Sequence, residues 1–203
     1  MYRYIKRLFD LFTALTLLLM SSPFLIIIII ILAIHFKGSP IFKQKRLGYK
    51  NVSFEIYKLK TMRDLFDERG VPLPDIDRIT KLGALIRKLS LDEIPQVINV
   101  FKGEMSFIGP RPLSVKNYPL YTPREILRQE VKPGITGLAQ VNGRNHLAWD
   151  KRLELDVVYY ENMSFSMDIN ILIKTVKNVI MQKDIAVTPQ FKSIIKSRTK
   201  VYR

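Results

Sequence analysis

The run from Leu11 to Ile34, LFTALTLLLMSSPFLIIIIIILAI, is 24 residues long and holds no charged side chain. At about 1.5 Å per residue a helix of that length reaches across a hydrocarbon layer of ~30 Å. No small-residue cleavage site follows it, so it is not a removable secretion signal. Two features set it apart from a simple span. Ser21-Ser22-Pro23 sits near its middle, where proline removes a helical hydrogen bond and bends the axis, and a serine hydroxyl can satisfy the freed group. Both flanks are basic: Arg3, Lys6 and Arg7 in the amphipathic lead-in MYRYIKRLFD, then Lys37, Lys43, Lys45 and Arg46 after it. A spanning helix normally carries such bases mainly on its cytoplasmic side. Two readings stay open on the residues: a re-entrant helix-break-helix turning at Ser22-Pro23, or a straight span with a proline kink.

The charge follows the apolar run. The chain of 203 residues has a formal net charge of +15, and residues 1–63 hold eleven Lys/Arg against Asp10 and Glu55, which places +9 of it there. Basic residues beside an apolar segment suit an anionic phospholipid membrane. They also suit phosphorylated substrates. No recognised nucleic-acid motif accompanies the charge, so a nucleic-acid partner is not expected. There is no cysteine, which excludes disulfides, thiolate catalysis and cysteine metal sites. No internal repeat occurs.

Beyond the apolar run, alternation over residues 40–62 predicts a β-hairpin, with Val52, Phe54 and Ile56 against Ser53 and Glu55 and a turn at Leu47–Asn51. Lys58 and Lys60 continue that period, either as a phosphate contact or as a solvated strand face. Residues 63–79 read as a charged loop and 80–89 as a helix.

Then comes Ser90-Leu91-Asp92-Glu93-Ile94-Pro95-Gln96, two adjacent carboxylates where a helix should begin. Ser90 and Glu93 have capping-box spacing. Asp92 as the N-cap is the alternative register, with Pro95 in the first turn. In either case both acids sit near the positive end of a helix, which favours their ionised forms. An ionised aspartate is a candidate nucleophile and a hard oxygen ligand for a divalent cation. Arg87, Lys88 and Arg111 surround the pair, and acids ringed by arginines suit a metal with a phosphate. By themselves, such residues are more often a plain helix start. The helix continues through Ile94, Val97, Ile98 and Phe101 to Gly103.

Pro110 and Pro112 bracket Arg111 and hold its backbone extended, which presents one guanidinium fork for bidentate phosphate binding. Residues 123–130 read as a short charged helix. Val131–Asn145 is a Gly- and Asn-rich loop without Walker or Rossmann spacing. A helix over Lys151–Tyr160 carries Glu154 and Asp156. Residues 164–181 form an amphipathic helix with Lys174 and Lys177 opposite its apolar stripe, suited to a membrane interface or to core packing. The last twenty residues are basic and expected to be loosely ordered.

Taken together, Ser22-Pro23, FEIYKLKTM at Phe54–Met62, Arg87 with SLDEIPQ, KGEMSFIGPRP and KPGITGLAQVNGRN resemble the small monotopic phosphoglycosyl transferases, the bacterial sugar transferase family. The likeness runs to about residue 181. It implies an α/β, mostly helical fold: a lead-in and re-entrant membrane helix over 1–36, a catalytic domain at the membrane surface over 37–185 with a β-hairpin and interfacial amphipathic helices, and a basic tail over 186–203. The implied reaction moves a phospho-sugar from a UDP-sugar donor to a polyprenyl phosphate acceptor and releases UMP, with Mg2+ as cofactor. It would take place at the cytoplasmic face of a bacterial inner membrane, with downstream glycosyltransferases as partners and an N-acetylated or deoxy amino sugar as the expected group. By motif, Asp92 is the implied nucleophile and Mg2+ contact, Glu93 its acidic partner, and Arg111 a phosphate ligand with Lys58 and Arg87 nearby. Asn142, Arg144 and Asp156 are implied contacts to the nucleotide or sugar. The rival reading is a non-enzymatic basic scaffold at a membrane surface.

Overall fold

The computed structural model describes residues 2–143 and 147–181, and its first element is the apolar run itself. The α1 helix (Tyr2–Phe36) continues through Ser22-Pro23, where a break was expected. Pro23 has no N–H for the carbonyl four residues back, that of Leu19. The Ser22 hydroxyl donates to that carbonyl at 3.0 Å, and the Ser21 hydroxyl donates to the carbonyl of Leu17 at 2.6 Å. The side chains therefore replace the missing donor and the helix persists. It is long and apolar enough to cross a membrane. Phe12, Leu19, Met20, Phe24 and Ile34 stand exposed along it, while Asp10, Ala14 and Leu32 are buried.

The hairpin forms as the alternation predicts. Strand β1 (Ile41–Leu47) pairs antiparallel with β2 (Ser53–Leu59), Ile41 opposite Leu59 and Leu47 opposite Ser53. Phe54 and Ile56 point into a core that also contains Ala14 of α1. The expected loop over 63–79 holds a short helix, α2 (Asp75–Arg78), and a bridge from Met62 to Ile79. Next, α3 (Lys81–Lys88) is capped by Thr80, whose hydroxyl accepts from the Gly83 N–H at 2.9 Å. A Cβ at Gly83 would stand 1.9 Å from the Thr61 carbonyl oxygen, so only glycine lets α3 lie this close to the end of β2.

The acid pair departs from the expected helix start. Ser90 is left-handed (φ 56°) and its side chain makes no cap bond, so the S-x-x-E box does not form. Leu91–Glu93 is a 3₁₀ turn, and the following helix, α4 (Gln96–Lys102), begins only after Pro95. Gly103 ends it at φ 86°, as the sequence predicts.

A segment given no element by the sequence and part of the expected loop form a small parallel sheet: β3 (Ser106–Ile108) beside β4 (Gly134–Thr136). It was not legible because each strand is three residues long and its partner is remote in sequence. The charged helix expected over 123–130 is α5 (Pro123–Ile126) followed by a 3₁₀ turn, Leu127–Glu130. Then come α6 (Leu138–Val141), α7 (Trp149–Asn162) and α8 (Phe165–Ile180). The molecule is thus mostly helical, with two small sheets and one long apolar N-terminal helix.

The α8 helix is amphipathic in an inverted sense. Its packed side is Asp168, Ile171, Thr175 and Asn178, held by polar bonds: Tyr159 to Asp168 at 2.8 Å, Thr175 with Thr136 at 2.7 Å, and Asn178 to the Val141 carbonyl at 3.3 Å. The stripe of Phe165, Ile173, Val176 and Ile180 faces outward. The lead-in of α1 is docked beside it. Lys6 pairs with Asp168 at 2.7 Å, and the Tyr2 hydroxyl donates to the same carboxylate at 2.6 Å. Arg7 donates to the Val100 and Phe101 carbonyls at 2.6 and 2.9 Å, capping the C-terminal end of α4. Lys6 and Arg7, grouped by sequence with the lipid-facing bases, therefore serve internal contacts, and Arg3 stays exposed.

Candidate active site

Three segments bring the expected residues together: the end of β2, the turn before α4, and the Gly109–Pro112 run. Lys58 and Arg111 both donate to one oxygen of Glu93, Oε1, at 2.7 and 2.8 Å. Burial alone would raise the Glu93 pKa, but the charges and hydrogen bonds of Arg111 and Lys58 outweigh it and hold the carboxyl far below the usual range. Asp92 beside it makes no hydrogen bond or ion pair among the described residues. Its pKa is raised, chiefly by burial and further by the Glu93 charge; Lys58, Arg87 and Arg111 act against the rise without cancelling it. Both carboxylates were expected to be ionised by a helix end. That account fails for Asp92 because α4 starts four residues later, leaving desolvation as the larger influence. Arg87 is oriented by its Nε–H, which donates to the Thr61 hydroxyl at 2.9 Å.

Lys58 illustrates a signal present in the sequence but read too weakly. It shares strand parity with Phe54 and Ile56, so it belongs to the inward face and not to a solvated one. Asn99, which no motif picks out, fixes the spacing. It accepts from the Tyr57 N–H at 3.2 Å and donates to the Glu55 carbonyl at 2.7 Å, tying the β2 backbone to α4. Arg7 grips the other end of α4, so the N-terminal helix is joined directly to the element that follows the acid pair.

Pro110 and Pro112 are buried on either side of an exposed Arg111. The Pro110 carbonyl accepts from the Gly134 N–H at 2.9 Å. A Cβ on Gly134 would lie 2.1 Å from the Gly109 nitrogen, so β4 is pressed against this run by the absence of a side chain. Asp156 takes a different place from the one implied. It is buried and paired with Arg128 at 2.8 Å, and Arg128 also donates to the Arg111 carbonyl at 2.6 Å. Asp156 thus holds the residue that holds the Arg111 backbone. Asn142 donates to the Leu138 carbonyl at 2.9 Å, and no bond joins it to the acid pair. Arg144 and residues 186–203 lie outside the described residues, and Ser22-Pro23 lies in α1, apart from the acids.

Sequence reading missed Arg46 and Arg152. Arg46 was grouped with the bases flanking the apolar run, and Arg152 drew no attention on its helix. In the fold, the Arg111 charge reaches both, and with burial it lowers their pKa values. Among the described residues, no group of three or more His, Asp or Glu gathers as a ready-made metal cage. The acids available are the clamped Glu93 and the unbonded Asp92.

The site is thus an unbonded carboxylate beside a clamped one, edged by basic side chains. The family description "Bacterial sugar transferase" matches residues 1–182. The chain belongs to the bacterial sugar transferase family. It is 49% identical over 185 residues, 91% of each chain, to a Bacillus subtilis protein named uncharacterized sugar transferase EpsL. It is 36% identical over 187 residues to the Aeromonas hydrophila UDP-N-acetylgalactosamine-undecaprenyl-phosphate N-acetylgalactosaminephosphotransferase, covering 88% of this chain and 44% of the relative. The same identity, over 196 residues, relates it to the undecaprenyl-phosphate glucose phosphotransferase of Komagataeibacter xylinus, covering 88% and 36%. The protein is a sugar-phosphate transferase, the enzyme class that the motifs imply, and α1 makes it membrane-associated.

Proposed function

We propose that this transferase moves a phospho-sugar from a UDP-sugar to a polyprenyl phosphate through an aspartyl phospho-sugar at Asp92. The observation that carries the reading is the contrast within the acid pair: Glu93 is held through Oε1 by Lys58 and Arg111, while Asp92 keeps its carboxylate oxygens unbonded. The names of the Aeromonas and Komagataeibacter relatives support a nucleotide-sugar donor and an undecaprenyl phosphate acceptor. In the first step an Asp92 oxygen attacks the phosphorus that bears the sugar. A bond from that oxygen to phosphorus forms, and the phosphorus–oxygen bond to UMP breaks. In the second step a phosphate oxygen of the lipid attacks the same phosphorus and Asp92 leaves. Two displacements let a soluble donor and a lipid acceptor use one site in turn.

Lys58 and Arg111 can add their remaining donors to the transferring phosphoryl group while Glu93 fixes their positions. Arg87, oriented by Thr61, adds charge from the α3 side. The residues present fit Mg2+: Asp92 offers an unbonded hard oxygen, and Mg2+ commonly takes one or two carboxylates with water and substrate phosphates. The ion would offset phosphate charge during each displacement.

The proposal includes a re-entrant α1 at the cytoplasmic face of a bacterial inner membrane. Its support is the basic residues at both flanks, the lead-in docked on α4 and α8 while Leu32 packs with Leu59 and Ile86, and the outward apolar stripe of α8. Cysteines placed at positions 2 and 45 should be labelled from the same side of the membrane; labelling from opposite sides makes α1 a span. For the chemistry, purified protein given radiolabelled UDP-sugar and Mg2+ without lipid should retain label at Asp92. UMP release with no bound label defeats the two-step route. A passive scaffold, the rival reading, predicts neither.

A further inference from the structure

Arg46, Arg111 and Arg152 come from three distant parts of the chain, yet the fold converges them. Backbone bonding ties the end of β1 to the proline run: Arg46 bridges Ser114, and the Leu47 N–H donates to the Leu113 carbonyl at 3.0 Å. One apolar cluster underlies all three positions, containing Leu47 beside Arg46, Leu113 near Arg111, and Trp149 and Leu153 around Arg152. Arg152 and Asp156 lie one turn apart on α7, and the Arg128 bridge from Asp156 to the Arg111 carbonyl closes the arrangement.

Charge in this corner is lopsided. Glu93 serves Arg111, and Asp156 serves Arg128 and also acts on Arg152, whose Nε–H donates to the Leu147 carbonyl at 2.9 Å. Among the described residues, Arg46 has only a neutral side-chain partner, Gln44, at 2.5 Å, and its Nε is buried with no hydrogen bond. Burial and the nearby Arg111 charge bring Arg46 down to about 10, and they lower Arg152 as well. Two guanidiniums are thus held close to a third cation at a free-energy cost, without a matching carboxylate for Arg46. An anion on these groups would relieve both the repulsion and the unmet donor.

We propose that Arg46 and Arg152, with Arg111 between them, form a second phosphate subsite that holds the leaving nucleotide's phosphate. This rests on the UDP-sugar reading above. Arg111 then sits where the two donor phosphates meet: Lys58 and Arg87 face the phosphorus attacked by Asp92, and Arg46 and Arg152 face the one that departs as UMP. The same pair of guanidiniums could instead receive the phosphate of the lipid, and the test separates the two.

Full-length protein in detergent, with Mg2+, is titrated with UMP and, separately, with farnesyl phosphate as a short polyprenyl phosphate. Arg46→Gln and Arg152→Gln should each weaken UMP binding by roughly tenfold or more, the loss of a charged hydrogen bond, and leave farnesyl phosphate binding unchanged. Arg46→Lys, which keeps the charge and the fold, should recover part of the UMP affinity. Equal UMP affinity in wild type and both Gln variants overturns the subsite, as does a loss confined to farnesyl phosphate. If wild-type protein itself binds no UMP, the nucleotide-donor reading fails and the subsite falls with it.

Discussion

Two carboxylate–arginine sites lie within one molecule and use the same chemistry to opposite ends. At Asp156 and Arg128 both partners are buried, and two guanidinium nitrogens reach one carboxylate oxygen at 3.0 and 2.8 Å. The other oxygen, Asp156 Oδ1, makes no hydrogen bond but is buried, so no atom of the pair is presented to a substrate. At Asp92 and Glu93 the second acid absorbs the fixed bonds of Lys58 and Arg111, and the first keeps its oxygens open. The sequence marks the open site as a motif, DE between basic residues, whereas the closed one joins residues 28 apart and has no local signature. Residue type alone does not separate support from chemistry. What separates them is whether an unbonded carboxylate oxygen is also within reach of a substrate, as at partly exposed Asp92 and not at buried Asp156.

The largest effect that tests this contrast is loss of the open carboxylate. Asp92→Asn should lower transfer by roughly a thousandfold or more, because on the proposed route the Asp92 oxygen takes the phosphoryl bond. The melting temperature should not fall, since the native carboxylate makes no bond there. Phospho-sugar transfer measured by UMP release, with melting followed through the single tryptophan, Trp149, reports both. Transfer that survives this change would mean that Glu93 or another group is the nucleophile.

Breaking the closed pair should show the reverse pattern. Arg128→Leu leaves Asp156 buried without its cation, and losing one partner of a buried pair costs about 3–5 kcal/mol. The fall should appear as a lower melting temperature. Replacing both residues by leucine should cost less than the single change, because no buried charge is stranded. A variant that melts normally but loses donor affinity would move Asp156 back into the site, the place that family likeness implied for it.

How much of this was legible depended on how local each signal was. The apolar run, the hairpin and the terminal helices are set by periods within one segment, and they appear nearly as read. At Pro23 the residues left a break and a kinked span both open, and the helix runs on because the Ser22 hydroxyl, already recognised as a possible donor, replaces the lost N–H. The capping box at Ser90 matched in letters and failed in geometry, since a left-handed Ser90 turns its side chain away from the cap position. The parallel β3–β4 pair depends on glycine contacts between remote segments, which a single sequence does not display. At the site, Asp92, Glu93, Lys58, Arg87 and Arg111 were reached through motifs. Arg46, Asn99 and Arg128 were not, because their roles arise from contacts 17 to 65 residues away: Arg128 with Arg111, Asn99 with Glu55, and Arg46 with Arg111.

The smallest expected effect is the most diagnostic, because it asks which charges Asp92 feels. On the proposed route Asp92 attacks as the carboxylate, so transfer should rise with pH through its pKa. Burial raises that pKa, so the acid limb of the rate profile should lie above the ordinary carboxylate range. Lys58→Met removes a cation that lowers the Asp92 pKa and should move the limb toward higher pH. Glu93→Gln removes a like charge that raises it, and also frees Lys58 and Arg111 to act on Asp92, so the limb should move toward lower pH. Both variants lose rate, and the sign of the shift is what counts, read from the pH dependence of kcat/KM. Stability moves separately: the depressed pKa of Glu93 contributes stability at neutral pH that is lost as pH falls below its unfolded value, and Glu93→Gln removes that dependence. Shifts of the same sign in Lys58→Met and Glu93→Gln would mean that the titrating group is not Asp92, and the open member of the acid pair would have to be sought elsewhere.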